Sequence, residues 1–284
     1  LGAVVATVMS TAGRSDRPEQ TFGVINAAVG VMGIAIAFVL PRALHLGERL
    51  PANWSLSPVD GLYLVYALAA ALALGFIVHT PRPPPLAAAS QSAPGIGARN
   101  WTALLGLGVL FFGHAMLAVY LVRIGREAQL PPESIGYVLM AAGVVGIVAP
   151  LVSAYVGARF RSLGVVALLL AGLAILVLLG ANATTPLQFA LAAPLFAGLP
   201  TAIMPVVLGA AATVEPSGRM AGAHPAFVML GSALAPMAGG ALSDLGGFGL
   251  NGIVALGCFA VGFVCLQPVL RGSDLQRANG ARAP

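Results

Sequence analysis

Gly164-Val-Val-Ala-Leu-Leu-Leu-Ala-Gly-Leu-Ala-Ile-Leu-Val-Leu-Leu-Gly180 runs for about five helical turns without a charged, amide or hydroxyl side chain. Several other stretches of about 20 residues also lack any formal charge, and that much helix crosses a hydrocarbon core roughly 30 Å thick. The composition agrees. Hydrophobic residues make up 58% of the chain and charged residues 8%, and mean hydropathy is +0.94. A soluble domain carries about 25% charged residues because its surface must be solvated. Too few polar residues are present to cover such runs as the buried helices of a water-soluble core.

Outward from that stretch, the chain divides into an incomplete apolar run at 1–12 and full runs near 22–41, 59–79, 101–122, 135–156, 164–180, 186–209, 222–243 and 252–270. The expected fold is all-α: a polytopic transmembrane helix bundle with eight full spans plus one partial N-terminal span. Short polar links join the runs. The longest low-order stretch is 81–100, where Pro83-Pro84-Pro85 forbids helix. It reads as a linker between two groups of helices, 1–80 and 101–271, with a tail at 272–284.

All fourteen basic residues are arginines. Alternating helices would place Arg14, Arg17, Arg82, Arg99, Arg159, Arg161, Arg219, Arg271, Arg277 and Arg282 on one side, against Arg42, Arg49, Arg123 and Arg126 on the other. Positive charge marks the cytoplasmic face, so the linker and the C-terminus are expected there. The pI near 9.9 reflects orientation rather than nucleic-acid binding, since no basic helix or aromatic-basic stripe is present to track phosphates. The first run is only about half a bilayer long before Arg14, and no basic region or cleavage site marks it as a signal peptide, so the sequence reads as N-terminally truncated. Cys258 and Cys265 lie seven residues apart on one expected helix, about 10 Å along its axis, and read as apolar packing rather than a disulfide.

Internal repetition is weak but ordered. Arg17 to Gly33 opens a small-residue-rich helix after a short basic turn, and Arg219 to Ala235 does the same about 200 residues later. With that period, three local features resemble the major facilitator superfamily. Pro132 through Pro150, followed by Arg159-Phe-Arg161, resembles the second-half form of the helix 2/3 loop signature, with Ala158 where an acid would stand. Gly231-Ser-Ala-Leu-Ala-Pro236-Met-Ala-Gly239-Gly240 resembles the antiporter motif of that family, although it falls in the helix that would be the eleventh. Asp16-Arg-Pro-Glu19 before Phe22-Gly23 resembles the turn between helices 4 and 5. The resemblance covers nearly the whole chain, as helices 4 to 12. It implies secondary active transport of a small molecule by alternating access, with protons as the coupling ion and efflux as one direction, in a monomeric protein of the bacterial inner membrane. Gly30-Val-Met-Gly33-Ile34 lacks the proline of the antiporter motif, which removes the basis for a narrower subclass.

Small residues spaced along a helix let backbones approach closely where lipid offers no hydrophobic drive. Gly231, Ala235 and Gly239 form one such strip; Gly136, Gly143, Pro150 and Gly157 recur every seven residues, and Gly106, Gly113 and Tyr120 do likewise. Pro194, Pro200, Pro205, Pro225 and Pro236 are expected to bend their helices or serve as rocking contacts. Ionisable groups at membrane depth invite a functional reading. His114 is the clearest, mid-run with Phe111 and Ala118 on its own face, and an imidazole titrates near pH ~6.5 in water. Tyr120, Asn26 and Gln188 are further candidates for the cavity wall. His79, His224, Asp60, Asp244, Arg42 and Arg123 lie at run ends, where snorkelling to water is the simple explanation, and Trp101, Tyr63 and Tyr66 read as interfacial anchors. No metal-ligand spacing, phosphate-binding loop or nucleophile elbow is present. The alternative to transport is a membrane scaffold or receptor, and no cofactor is expected.

The topology is open to labelling. In a background with Cys258 and Cys265 replaced by alanine, Ser92→Cys should be shielded from an impermeant thiol reagent in intact cells, whereas Asn53→Cys and Ala128→Cys should react. Labelling at position 92 from outside would reverse the orientation.

Overall fold

The computed structural model describes residues 2–44, 58–79 and 96–280, and every regular element among them is an α-helix. The helices are α1 (Gly2–Ala12), α2 (Pro18–Leu44), α3 (Pro58–His79), α4 (Ala98–Ala118), α5 (Leu121–Glu127), α6 (Pro132–Arg159), α7 (Ser162–Ala181), α8 (Pro186–Gly198), α9 (Pro200–Val214) and α10 (Arg219–Gly280). Helices α2, α3, α6, α8 and α9 each open on a proline. Proline costs nothing there because the first turn has no use for its missing N–H. Two compact units result, 31–88 in one and 1–30 with 89–284 in the other. In the smaller unit, Tyr63, Leu64, Tyr66, Leu68 and Leu72 of α3 are all exposed. Residues 81–95 of the linker, with Arg82 and Pro83-Pro84-Pro85, lie outside the described residues, as do Arg49, Asn53 and Arg282.

In the larger unit, α4 and α5 form one apolar segment, Ala98–Glu127, interrupted at Val119 and Tyr120. Helices α8 and α9 form another, Pro186–Val214, joined through Leu199. Pro200 accounts for that interruption, because it cannot donate to the preceding turn. Pro225 and Pro236 lie inside α10 without breaking it. Helix α10 is broken instead at Gly246 and Gly247. The second has φ 68°, a left-handed conformation that favours glycine. It divides α10 into a first arm (219–245) and a second arm (248–280). The second arm continues to Gly280, so most of the expected tail is helical. Among the described residues, five segments are long and apolar enough to cross a membrane.

Both arms of α10 clasp α4. A methyl group on Gly113 would lie 2.6 Å from Cys258 Cβ, and one on Gly106 would meet Cys265 Cβ at 2.5 Å, so these glycines admit the second arm. On the opposite side, a methyl group on Gly231 would overlap the Gly108 carbonyl oxygen, and one on Gly239 would press on the Met116 carbonyl at 2.6 Å. The Gly231, Ala235 and Gly239 strip therefore packs against α4, and Ala235 and Met116 are fully buried with it. The two cysteines are free and half-buried in this packing.

Helix α6 packs through a different set of positions from the seven-residue stripe. Gly136 has open space where a side chain would extend. The buried face is Ile135, Val138, Ala142, Gly146, Pro150, Ser153, Ala154 and Gly157, which recurs every three to four residues. The reason is helical pitch, since 3.6 residues per turn rotates a strict seven-residue repeat slowly off the contact. Gly143 is accordingly half-buried. Gly23 and Gly30 of α2 face the Pro150 and Gly146 carbonyls, each with a would-be methyl 3.1 Å away. Helix α7 buries Val166, Leu170, Leu173 and Val177, while Leu168 and Ile175 on its other face are 75% and 60% exposed. Large apolar groups on both faces suit hydrocarbon surroundings and not water.

The packing predicts a contrast between two glycines. Gly231→Val should lower the thermal stability of the purified protein by about 1–3 kcal/mol, through overpacking against α4. Gly136→Ala should be neutral or stabilising by up to ~1 kcal/mol, because its site is open and alanine favours helix. Thermal unfolding followed by helical circular dichroism in detergent checks both, and equal effects would refute the assigned contact.

Candidate functional site

Four helices meet at a cavity of about 170 Å³ lined by Asn26 of α2, Phe111 of α4, Thr201 and Met204 of α9, and His224, Pro225, Val228 and Met229 of the first arm of α10. Its polar groups are one amide, one hydroxyl and one imidazole; the rest of the wall is apolar. Each polar group is also held by its own backbone. Asn26 Nδ2 donates to the Phe22 carbonyl at 2.8 Å, one turn back. Thr201 Oγ1 donates to the Gly198 carbonyl at 2.6 Å, across the junction of α8 and α9. His224 Nδ1 lies 2.6 Å from the Ala221 carbonyl. A neutral imidazole that donates from Nδ1 keeps Nε2 as an acceptor. The three groups are thereby fixed in orientation before any solute arrives.

His224 departs from the snorkelling expectation, for only 4% of its surface is exposed. Helix α1 covers the start of α10: methyl groups on Gly218 and Gly222 would press against Ser10 and Ala6. His224 follows one turn further on, inside the bundle rather than at its edge. Thr201, between two prolines, was also not apparent from the run it occupies. The sequence signal was a polar side chain in the apolar stretch 189–209.

The sequence candidates separate. Asn26 and Phe111 line the cavity. His114 is not among its lining residues. Its ring is tilted on Phe196 at 4.9 Å between centroids and meets Phe111 edge-on at 6.3 Å. The Phe196 backbone interacts with the imidazole, and Nε2 is buried without a hydrogen-bond partner. Ala118 packs on the hydrophobic core. Tyr120 donates to the Pro236 carbonyl at 2.8 Å and lies against Phe248 at 5.7 Å. Gly240 leaves room for its hydroxyl, and Asn251 Nδ2 donates to the Gly239 carbonyl at 2.9 Å. These contacts brace the turn between the two arms. Gln188 sits at the start of α8, where its backbone N–H donates to the Thr185 hydroxyl and its side-chain oxygen accepts from Thr184 N–H. That is a reciprocal helix cap. Trp101 is half-exposed against Phe227, at 5.7 Å between ring centroids. Arg123 lies over Phe248 at 5.3 Å and pairs with Glu127 at 3.3 Å. The side chains of Arg42 and His79 lie outside the described residues.

The end of the bundle that carries Arg159, Arg161, Arg271 and Arg277 holds charged contacts that join separate helices. Glu19, 8% exposed, pairs with Arg277, which also donates from Nη1 to the Gly157 carbonyl at 2.8 Å. This contact ties the start of α2 to the ends of α6 and α10. Asp274 accepts from the Ser162 and Leu163 N–H groups at 2.7 and 3.3 Å and so caps α7. Arg159 stacks on Tyr155 at 3.9 Å, one turn back on α6. A larger groove of about 570 Å³ between α6, α7 and the α8–α9 segment is lined almost wholly by valine, leucine and alanine.

Accessibility tests the geometry. In the cysteine-free background, Asn26→Cys and Met229→Cys should react several-fold faster than His114→Cys with a small water-soluble thiol reagent. Equal rates at 114 and 26 would put position 114 on the cavity wall.

The sequence matches no protein-family model and no curated protein. The fold does match solved structures. A variant of the E. coli fucose:proton symporter FucP superposes with a TM-score of 0.69 at 16% identity, over 94% of this chain and 73% of that one. A structure of FucP described as a major facilitator superfamily transporter in the outward conformation gives a TM-score of 0.64 at 17% identity, over 94% and 72% of the two chains. With its apolar helices this makes the chain an integral membrane protein, and its helices are arranged in the major facilitator fold.

Proposed function

We propose that this protein is a secondary transporter that moves a small, uncharged solute across the membrane by alternating access. The observation that carries the reading is the cavity at Asn26, Thr201 and His224. It lies where helices converge in a bundle of this fold, and it presents a few preoriented polar groups in an apolar wall. The printed name of the structural neighbour, a fucose:proton symporter, makes a monosaccharide a reasonable first probe.

The two groups of helices expected at 1–80 and 101–271 would be the moving parts. The contact of Arg277 with Glu19 and the Gly157 carbonyl then acts as a closure at the arginine-rich end, and an inward-open state requires it to part. Proton coupling would run through His224, the titratable side chain on the cavity wall. Flux driven outward by a pH gradient would constitute efflux, and flux in the same direction as protons would constitute symport.

Flux into proteoliposomes decides the matter. L-fucose and a panel of small uncharged solutes should include one whose uptake exceeds that of protein-free liposomes and responds to an imposed pH gradient. His224→Gln keeps a hydrogen-bonding group without its titration, so it should retain flux down a solute gradient and lose the response to pH. Solutes that bind without crossing, with or without a pH gradient, would replace the transporter reading with a scaffold or receptor.

A further inference from the structure

A second groove, of about 600 Å³, lies at the arginine-rich end between the first two turns of α7 and the second arm of α10. Its lining changes character along its length. Phe263 and Ala167 occupy the deeper part, Gln267 the middle, and Arg161, Arg271 and Asp274 the mouth. Phe263, Gln267 and Arg271 recur every four residues, so they form one stripe, with the arginine about 12 Å along the axis from the phenyl ring. The groove is therefore apolar toward the bilayer interior and charged at its edge.

Charge bookkeeping at the mouth favours an anion. Asp274 has both carboxylate oxygens engaged by the Ser162 and Leu163 N–H groups. Arg161 and Arg271 are exposed, and their side chains have neither an ion pair nor a hydrogen bond among the described residues. Two unpaired guanidiniums facing one space can each give a forked pair of hydrogen bonds to a phosphate. The α7 terminus is already capped, so recognition falls to these side chains.

We propose that this groove binds an anionic phospholipid, with Arg161 and Arg271 holding the headgroup phosphate, Gln267 near the glycerol region and Phe263 with Ala167 against an acyl chain. The site requires only that the protein sits in a bilayer, so it stands apart from the transport reading. Basic pockets between helices at the membrane surface gather anionic lipid by this chemistry. Phosphatidylcholine carries the same phosphate but also a cationic group that the two arginines would repel. Phosphatidylethanolamine has an ammonium that only an unengaged Asp274 could receive.

Delipidated protein in detergent is titrated with phosphatidylglycerol, phosphatidylethanolamine and phosphatidylcholine of matched chains, and retained lipid is counted by native mass spectrometry. The expected result is one retained phosphatidylglycerol, weakened on the order of tenfold in Arg161→Gln/Arg271→Gln by loss of charge-assisted hydrogen bonds. Arg17→Gln, which removes an exposed arginine elsewhere, should leave it unchanged. Arg161→Lys/Arg271→Lys should retain most of the binding and guards against a folding artefact, with circular dichroism confirming equal helix content. The proposal is overturned by equal retention of the other two lipids, by undiminished phosphatidylglycerol binding in the double glutamine variant, or by an equal loss in Arg17→Gln. Inorganic phosphate alone, tested by thermal shift, should have no effect; protection matching the lipid would make the site one for a free anion.

Discussion

Close backbone approach between α4 and the two arms of α10 is the constraint from which the rest of the larger unit follows. Hydrocarbon cannot drive one apolar helix onto another, so association depends on short-range packing. Gly106 and Gly113 receive the second arm and Gly231 and Gly239 bring in the first, so α4 is gripped from two sides without bulky side chains between the backbones. The turn at Gly246–Gly247 lets one continuous stretch of chain do both. With α4 fixed, Phe111 is placed beside the first arm at His224 and Val228, and the cavity wall forms as a consequence of the grip.

Polar groups are distributed by the same economy. At membrane depth every donor without a partner is costly. Asn26, Thr201 and His224 meet that demand with backbone carbonyls of their own turns. They can face a cavity without depending on a solute for their stability. Three full charges, Glu19, Arg277 and Asp274, gather at one end, where they tie helix termini together. Interior polarity is thus weak and preoriented, and terminal polarity is strong and structural.

Much of the architecture was legible because it rests on run length and charge alone. The uncharged stretches coincide with the long helices, and the seven-residue spacing of Gly106 and Gly113 does mark a contact face. What sequence reasoning could not supply was which polar residues share a space. Spacing puts His114, Phe111 and Ala118 on one face, but a face can meet either a cavity or another helix. Phe196, more than eighty residues later, turned out to fill the space over the imidazole. His224 lies near the start of its run, where the sequence suggests water, yet the helices packed around it bury it. Gln188 and Tyr120 were candidates by polarity alone, and their partners are a helix cap and a turn. The cap on α7 comes from Asp274, over a hundred positions away, and no local motif can encode such a contact.

The cap on α7 has a consequence for the order in which the chain is completed. Ser162 leaves the ribosome 112 residues before the aspartate that satisfies its N–H. At roughly 5–20 residues per second that is a delay of about 6–22 s. Glu19 waits longer still, since its guanidinium partner follows it by 258 residues. Both bonds therefore wait for the second arm of α10, and a chain that stopped short of Asp274 would carry the glycine contacts of α4 with both arms and leave this end unsealed.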